Sequence, residues 1–477
     1  MNYEVIIGIE IHLELKTETK MFSGAPAAGN YPPNRAVSAI DLAIPGTLPV
    51  LNRQAVIFGL MTCEALHCRI TDLLRFDRKN YFYSDLTKGY QITQQFHPLG
   101  QDGYLDIEVG QQTKRIRINR VHLEEDTAKQ FHQEDGLYLD FNRCGIPLLE
   151  IVTEADLRSG EEAMTFIDKL RLILYYLGVS DCRMEEGSLR CDINISLRPF
   201  GYEGFGQRVE VKNLNSVANV GKAIEAEINR QTLALNQGEV IDQATYRYAD
   251  DRRETVLMRR KEGAVDYKYF PEPNIPPIRL SLEFIKEALA NWPELPEERR
   301  QRYRSLGLSE YDSQQLVNTK ELGDYFDQVC RHSRHYKLAC NWILGDFSAY
   351  LIRKRLSAAE CEITAENLAE LLELIDAEKI SSKQAKEVFK EMENGKTAKE
   401  VVNEQGIEQL SDDGSIQEFV SQVIADNPQA VVDYHQGKDR AQGYLVGQIM
   451  KLSQGRANPA KVSEMLTAAL AQKKKEN

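Results

Sequence analysis

Glu10, His12 and Glu14 alternate with aliphatic residues in Glu4-Val-Ile-Ile-Gly-Ile-Glu-Ile-His-Leu-Glu-Leu, close to the first residue of the sequence. Successive side chains of a strand point to opposite faces, so this spacing sets all three polar groups on one face. A single strand of this kind reads equally well as a sheet face wetted by solvent. The pattern recurs, however. Glu150 lies within Leu148-Leu-Glu-Ile-Val, and Asp192, Asn194 and Ser196 share one face of Cys191-Asp-Ile-Asn-Ile-Ser-Leu. Val121-His-Leu-Glu-Glu-Asp adds Glu124, Glu125 and Asp126. Carboxylates gathered on strand faces repel one another unless a hard cation neutralises them, and Mg²⁺ takes oxygen ligands while bringing substrate phosphates with it. One imidazole among them is compatible with such a site without being diagnostic.

Groups suited to phosphate stand close by in sequence. Arg78 and Lys79 precede a turn in Asp77-Arg-Lys-Asn-Tyr-Phe-Tyr-Ser-Asp, and Arg190 is two residues from Asp192. Lys212 and Asn213 lead into an Asn/Ser-rich loop before a helical pattern, where exposed N–H groups and the helix dipole favour anions. A plain N-cap explains that loop as well. No Walker loop is present, and Gly201-Tyr-Glu-Gly-Phe-Gly lacks dinucleotide-fingerprint spacing. ATP, if bound, is expected on a sheet.

The elements that must position these groups mix strand and helix over the first 270 residues. Strand alternation covers 4–15, 104–118, 148–153, 192–197 and 208–212, and helical periodicity covers 53–67, 160–177 and 217–236. Asp102-Gly103 and Glu134-Asp135-Gly136 carry turn signals that favour antiparallel pairing. The segment Pro271 to Pro277 cannot be helix interior or central strand and marks a boundary. From Ser281 onward the pattern is almost wholly helical, with a second boundary near Gly395 and Gly406. The expected fold class is α+β: a mainly antiparallel-sheet domain over 1–292, a helical domain over 293–400 and a small helical tail over 401–477.

Bulk properties narrow the class. The 477 residues are 42% hydrophobic and 27% charged, ordinary globular material. The first residues carry charges among apolar positions and no basic leader, and no apolar run approaches the roughly 20 residues that span a bilayer. Eight cysteines without a Cys-x-x-Cys pair fit a reducing cytoplasm better than a disulfide scaffold or a zinc knuckle. Net charge is −13, yet its distribution changes abruptly. Residues 401–436 hold seven acidic and no basic groups; residues 437–477 hold eight basic against three acidic. That reversal is a candidate footprint for a polyanion, with a solvated helical face as the plainer reading.

Taken together, GIEIHLEL, FDRKNYFYSD, HLEEDTAK, PLLEIV, MEEGSLRCDINISLRP, VKNLNS, DYKYFPEPNIPP and GYLVGQIMKLSQGRANPAKV resemble the B subunits of bacterial glutamine-dependent tRNA amidotransferases over the whole length. The resemblance implies a cradle domain related to glutamine synthetase and guanidino kinases, ATP and Mg²⁺ as cofactors, and a heterotrimer with an amidase partner and a small third subunit. It implies phosphorylation of the side-chain carboxylate of misacylated Asp-tRNA(Asn) or Glu-tRNA(Gln), then displacement of phosphate by ammonia. Carried over residue by residue, it implies His12, Glu125 and Glu150 as metal ligands, with Glu10 and Asp192 as further ones. Lys79, Arg190, Lys212 and Asn213 become phosphate or gating contacts, and Lys438, Arg440, Lys451, Arg456 and Asn458 tRNA contacts in the tail.

There is one departure. Many members carry a Cys-x-x-Cys pair before the LPGxLPVLN motif; here Ser38 and Asp41 stand there, so no structural zinc is expected. Two rival readings are a stand-alone carboxylate–ammonia ligase and a non-catalytic RNA-binding scaffold. The chain carries neither a Ser-Ser-Lys amidase signature with its Gly/Ser-rich loop nor an obvious Cys nucleophile, so ammonia must come from a partner or from solution. A scaffold leaves the recurrent acidic strands unexplained.

Overall fold

The computed structural model describes residues 3–260, 266–406, 413–436, 438–453, 457 and 459–476. It divides into two compact units, Met1–Leu295 and Pro296–Asn477.

The strands of the first unit are, in chain order, β1 (Tyr3–Glu14), β2 (Arg69–Ile70), β3 (Leu73–Leu74), β4 (Asp77–Asn80), β5 (Tyr90–Thr93) and β6 (Gly100–Val109). They continue with β7 (Gln112–Glu125), β8 (Lys129–Gln133), β9 (Gly136–Asp140), β10 (Pro147–Thr153) and β11 (Leu189–Pro199). The last are β12 (Val209–Lys212), β13 (Ala244–Ala249), β14 (Glu254–Arg260), β15 (Phe270–Pro271) and β16 (Ile278–Arg279). Nine of them form one sheet in the order β14-β13-β12-β11-β1-β10-β7-β6-β2, antiparallel throughout except for β12 and β13. A smaller sheet runs β15-β4-β5.

β1 lies in the middle of the large sheet because its aliphatic positions demand cover. Ile7, Ile9, Ile11 and Leu13 are buried with residues of three helices: α1 (Arg53–Ala65), α2 (Gly160–Leu177) and α3 (Val217–Asn236). Each such side chain withdrawn from water contributes about 1.5–3 kcal/mol. The helices start where side chains satisfy their free N–H groups: Asn52, Ser159 and Ser216 accept from the first turns of α1, α2 and α3. With one face packed, the other face of the sheet is left to polar residues.

Two expected features are revised. The strand read over 104–118 is the hairpin of β6 and β7, turning at Gly110 with φ 61°. Asp102-Gly103 is no turn but lies within β6, where Gly103 is held against Leu66 and Cys68; an added Cβ would stand 2.5 Å from the Leu66 carbonyl and 2.4 Å from Cys68 Sγ. The Pro-rich segment, too, does not end the first unit. Phe270–Pro271 is an edge strand on β4, as proline requires, and the chain continues through α4 (Leu282–Ala288) to Leu295.

The second unit is helical, beginning at Pro296–Ser305. Its last four helices, Asp413–Asp426, Pro428–His435, Asp439–Leu452 and Pro459–Glu476, enclose a core of their own built on Ile416, Val420, Leu445, Ile449 and Leu466. No helix among the described residues is long and apolar enough to cross a membrane.

Candidate active site

Register across the large sheet brings distant polar residues into one row. On β1, His12 lies opposite Glu150 of β10 on one side and Arg190 of β11 on the other; Glu150 in turn lies opposite His122 of β7. The next row pairs Glu10 with Asp192. Because all pairs are antiparallel, residues directly opposite share a face, and this is the face that the helices leave uncovered.

At its centre His12 Nε2 is 3.5 Å from a Glu150 oxygen and 3.7 Å from a Glu124 oxygen. His122 Nε2 approaches the same two carboxylates at 3.2 and 3.7 Å. Burial works to lower the His12 pKa, but Glu150, Glu124 and Asp192 outweigh it and push it up to about 9. His122 is raised in the same way, against its own burial. Burial works to raise Glu150, yet His122 and His12 hold it well below the usual carboxylate range; Glu124 is lowered likewise. Imidazolium charge thus balances buried carboxylates.

One nitrogen of His12 and one oxygen each of Glu124 and Glu150 lie within 4.8 Å of one another. An imidazole with two carboxylates is a donor set that fits a divalent cation, which would take over the neutralising role of the imidazolium protons. A second group, Glu10, Asp192 and Glu210, also meets this spacing. There the Lys212 ammonium already supplies the positive charge, 2.5 Å from Asp192 and 3.0 Å from Glu210. Glu10 accepts from Asn194 Nδ2 at 2.9 Å, and its pKa is raised by burial and by Glu150 and Asp192.

The residues expected from sequence are therefore only partly assembled. His12, Glu150, Glu10 and Asp192 share the face, and Lys212 stands among them. Glu125 does not join His12 and Glu150. Strand parity sends it to the opposite face of β7, where it accepts from Ile92 N at 3.0 Å and pairs with Lys88. Glu124 takes the expected place. The signal was present in Val121-His-Leu-Glu-Glu: with Val121 and Leu123 buried, alternation assigns His122 and Glu124, not Glu125, to the polar face. The same alternation in Val209-Glu-Val-Lys would have found Glu210 beside Lys212.

Arg190 points along the row to Asp126, 2.6 Å away, with Arg143 at 3.6 Å from the same oxygen. Lys79 lies under an aromatic wall, 5.0 Å from the Tyr267 ring and 5.8 Å from that of Tyr81. Asn213 is exposed with φ 60°, outside the cluster, and Ser216 rather than a ligand caps α3. Beside Glu10 the polar face opens into a cavity of about 360 Å³ lined by Gly8, Asn194, Ser196, Phe205 and Arg208. Ser38 and Asp41 are bound locally, Asp41 accepting from Lys20 at 3.3 Å, Ser23 at 2.8 Å and the Ser38 N–H at 2.7 Å.

In the tail, Lys438 and Arg440 line a cavity of about 520 Å³ with Tyr444, Gln429 and the acidic Asp426 and Asp433. Lys438 is paired with Asp433 at 2.8 Å, and Lys451 is exposed. Arg456 and Asn458 lie outside the described residues.

The site is thus an acidic cluster borne on a sheet, with Lys and Arg groups around it. The comparisons with known proteins are specific. A family model described as the GatB/GatE catalytic domain matches residues 5–286, and one described as the GatB domain matches 324–470. The aspartyl/glutamyl-tRNA(Asn/Gln) amidotransferase B subunit from Bacillus licheniformis is 50% identical over 469 residues, covering 98% of each chain. Those of Geobacillus kaustophilus and Enterococcus faecalis are each 48% identical over 476 residues, covering 99% of this chain and 100% of theirs. The chain belongs to this family of amidotransferase B subunits.

Proposed function

We propose that the chain is the synthetase subunit of a tRNA-dependent amidotransferase, a carbon–nitrogen ligase with glutamine as amide donor. The carboxylate of Asp or Glu on misacylated tRNA(Asn) or tRNA(Gln) attacks the γ-phosphorus of ATP. A C–O–P linkage forms as the bond to ADP breaks. Ammonia, released from glutamine by the amidase partner, then attacks the acyl carbon; inorganic phosphate leaves, the nitrogen loses a proton, and the amide remains. The observation that carries this reading is the row His12, Glu124 and Glu150, a divalent-cation donor set on a face ringed by cations.

His12, Glu124 and Glu150 would hold Mg²⁺, which when bound offsets phosphate charge. Two anions, a carboxylate and a polyphosphate, must meet for the first step, and their repulsion is the main barrier the protein can lower. Lys79 and Arg190 supply fixed positive charge on this face, in a setting partly closed to water where such charge acts strongly. Lys212 offsets part of the charge of Asp192 and Glu210, which lessens the repulsion of the incoming substrate by this face.

With the amidase and a small third subunit, the chain forms a cytoplasmic heterotrimer, and the last four helices, which have a core of their own, carry a separate task. Lys438, Arg440, Lys451, Arg456 and Asn458 contact the tRNA body there. The test is reconstitution with both partner proteins, following ATP hydrolysis stimulated by Asp-tRNA(Asn) or Glu-tRNA(Gln). His12→Ala and Glu124→Ala should abolish that stimulation and leave glutamine hydrolysis intact. Unchanged stimulation in both variants would refute the site.

A further inference from the structure

β7 is irregular at one point. Its neighbour β10 pairs Val152 with Arg120 but Thr153 with Ile118, so β7 carries an extra residue there. Before the irregularity the even positions Ile116 and Ile118 are buried in the core; after it the odd positions Val121 and Leu123 take over. Had the alternation continued, residue 120 would have followed Ile118 into the core. The bulge instead puts Arg120 on the face of His122 and Glu124.

On that face Arg120 has no counter-ion among the described residues. Its Nε is enclosed without a hydrogen-bond partner, and its guanidinium makes no ion pair among the described residues. Most other partly buried guanidiniums of the same unit are paired: Arg78 with Glu272, Arg158 and Arg198 with Glu4, Arg190 with Asp126, Arg230 with Glu227. Lys79 also makes no close ion pair among the described residues; its ammonium faces the Tyr267 ring at 5.0 Å, and Glu124 and Glu150 act on it from further away. The rings of Tyr267 and Tyr269 are 5.9 Å apart, and the Tyr269 phenol feels Lys79, Arg120 and Glu150 together. Two cations without a close ion pair among the described residues thus lie near one tyrosine, beside the His12, Glu124 and Glu150 cluster. Enclosing part of a guanidinium without a close counter-charge is unfavourable, and an anion arriving at Arg120 would relieve it.

We propose that Arg120, with Lys79, forms an oxyanion pocket at Tyr269 that binds the anionic group of a substrate. A guanidinium donates in a planar fork that matches a carboxylate or a phosphate in two parallel hydrogen bonds. The oxyanion is therefore either the side-chain carboxylate to be activated or the terminal phosphate of the nucleotide. This inference rests on the function proposed above, and it adds an anion-binding residue that, with the carboxylate as occupant, discriminates an acid from its neutral amide.

The experiment uses the reconstituted heterotrimer with Arg120→Met and Arg120→Lys. If the pocket takes the carboxylate, Arg120→Met raises KM for Asp-tRNA(Asn) and Glu-tRNA(Gln) roughly 10- to 100-fold, with KM for ATP unchanged. Equilibrium binding without ATP then also loses its preference for Asp-tRNA(Asn) over Asn-tRNA(Asn). If it takes the phosphate, KM for ATP rises instead. In either arm Arg120→Lys recovers part of the loss, which a purely structural role would not give. Should Arg120→Met fail to assemble, Arg120→Gln reads the same quantities. Both KM values within threefold of wild type, with the binding preference kept, would overturn the pocket while leaving the proposed function standing. A wild-type heterotrimer unable to amidate either misacylated tRNA would overturn the function itself.

Discussion

Glu124 and Glu125 follow one another on β7, yet their carboxylates leave the strand on opposite faces. Glu124 comes within 3.7 Å of His12 Nε2, while Glu125 accepts from Ile92 N at 3.0 Å. The two substitutions should separate accordingly. Glu124→Gln is expected to weaken Mg²⁺ binding at least about tenfold, as loss of a charged ligand does. Glu125→Gln should leave cation affinity within about twofold but lower the melting temperature, because Lys88 loses its buried partner. Calorimetric titration of Mg²⁺ with thermal melting of both variants checks the pair.

Cation binding should release protons. The His12 pKa is pushed up to about 9, so its ring is charged at neutral pH and must give up that proton to serve as a ligand. Apparent Mg²⁺ affinity should therefore rise with pH, by up to about tenfold per unit, and level off near pH 9. Titration calorimetry in two buffers of different ionisation enthalpy counts the protons released. An affinity that is flat between pH 6 and pH 8 would show that His12 binds no displaceable proton there.

Lys212 stands between Asp192 and Glu210, with Glu10 alongside. Lys212→Met leaves three carboxylates without a cation. The ammonium is 32% exposed, so the loss is discounted for solvent and amounts to about 1–2 kcal/mol. Millimolar Ca²⁺ or Mg²⁺ should restore more of the melting temperature in this variant than it adds to wild type. An equal shift in both proteins would count against the triad as a cation site.

Gly103→Ala probes packing alone. The new Cβ would meet the Leu66 carbonyl and Cys68 Sγ at 2.5 and 2.4 Å. Overpacking of this kind costs about 1–3 kcal/mol. Thermal melting should register a loss for this variant and almost none for Gly136→Ala at the start of β9, where nothing lies within 4 Å.

Tail contacts should be visible in salt dependence. Arg440→Ala combined with Lys451→Ala is expected to weaken tRNA binding and reduce the slope of log affinity against log salt by about two. Glutamine hydrolysis by the complex should not change. A slope identical to wild type would remove these residues from the interface.

What could be read in advance followed the strength of the local signal. α2 and α3 were legible to their ends because an amphipathic period coincides with serine caps at Ser159 and Ser216. The polar face of β1 was equally plain, since five aliphatic neighbours frame it. Ladder pairing was not legible, because it depends on residues far apart in sequence: nothing near His12 announces Glu150. The β6–β7 hairpin was hidden by a turn at Gly110 short enough to preserve the alternation on either side. Arg120 was missed for a related reason. A bulge changes which face a residue occupies without changing its composition, and only the register of β10 reveals it.

The central place of β1 also imposes an order in time. Residues 3–14 leave the ribosome well before their partners, 147–153 and 189–199. A nascent chain must carry its founding strand, aliphatic face included, until nearly two hundred residues have emerged. Pairings of such sequence separation are slow to close. The site therefore has no half-built form: a chain stopped before β10 holds His12 but no cluster, and the first strand meanwhile calls for shielding from other chains.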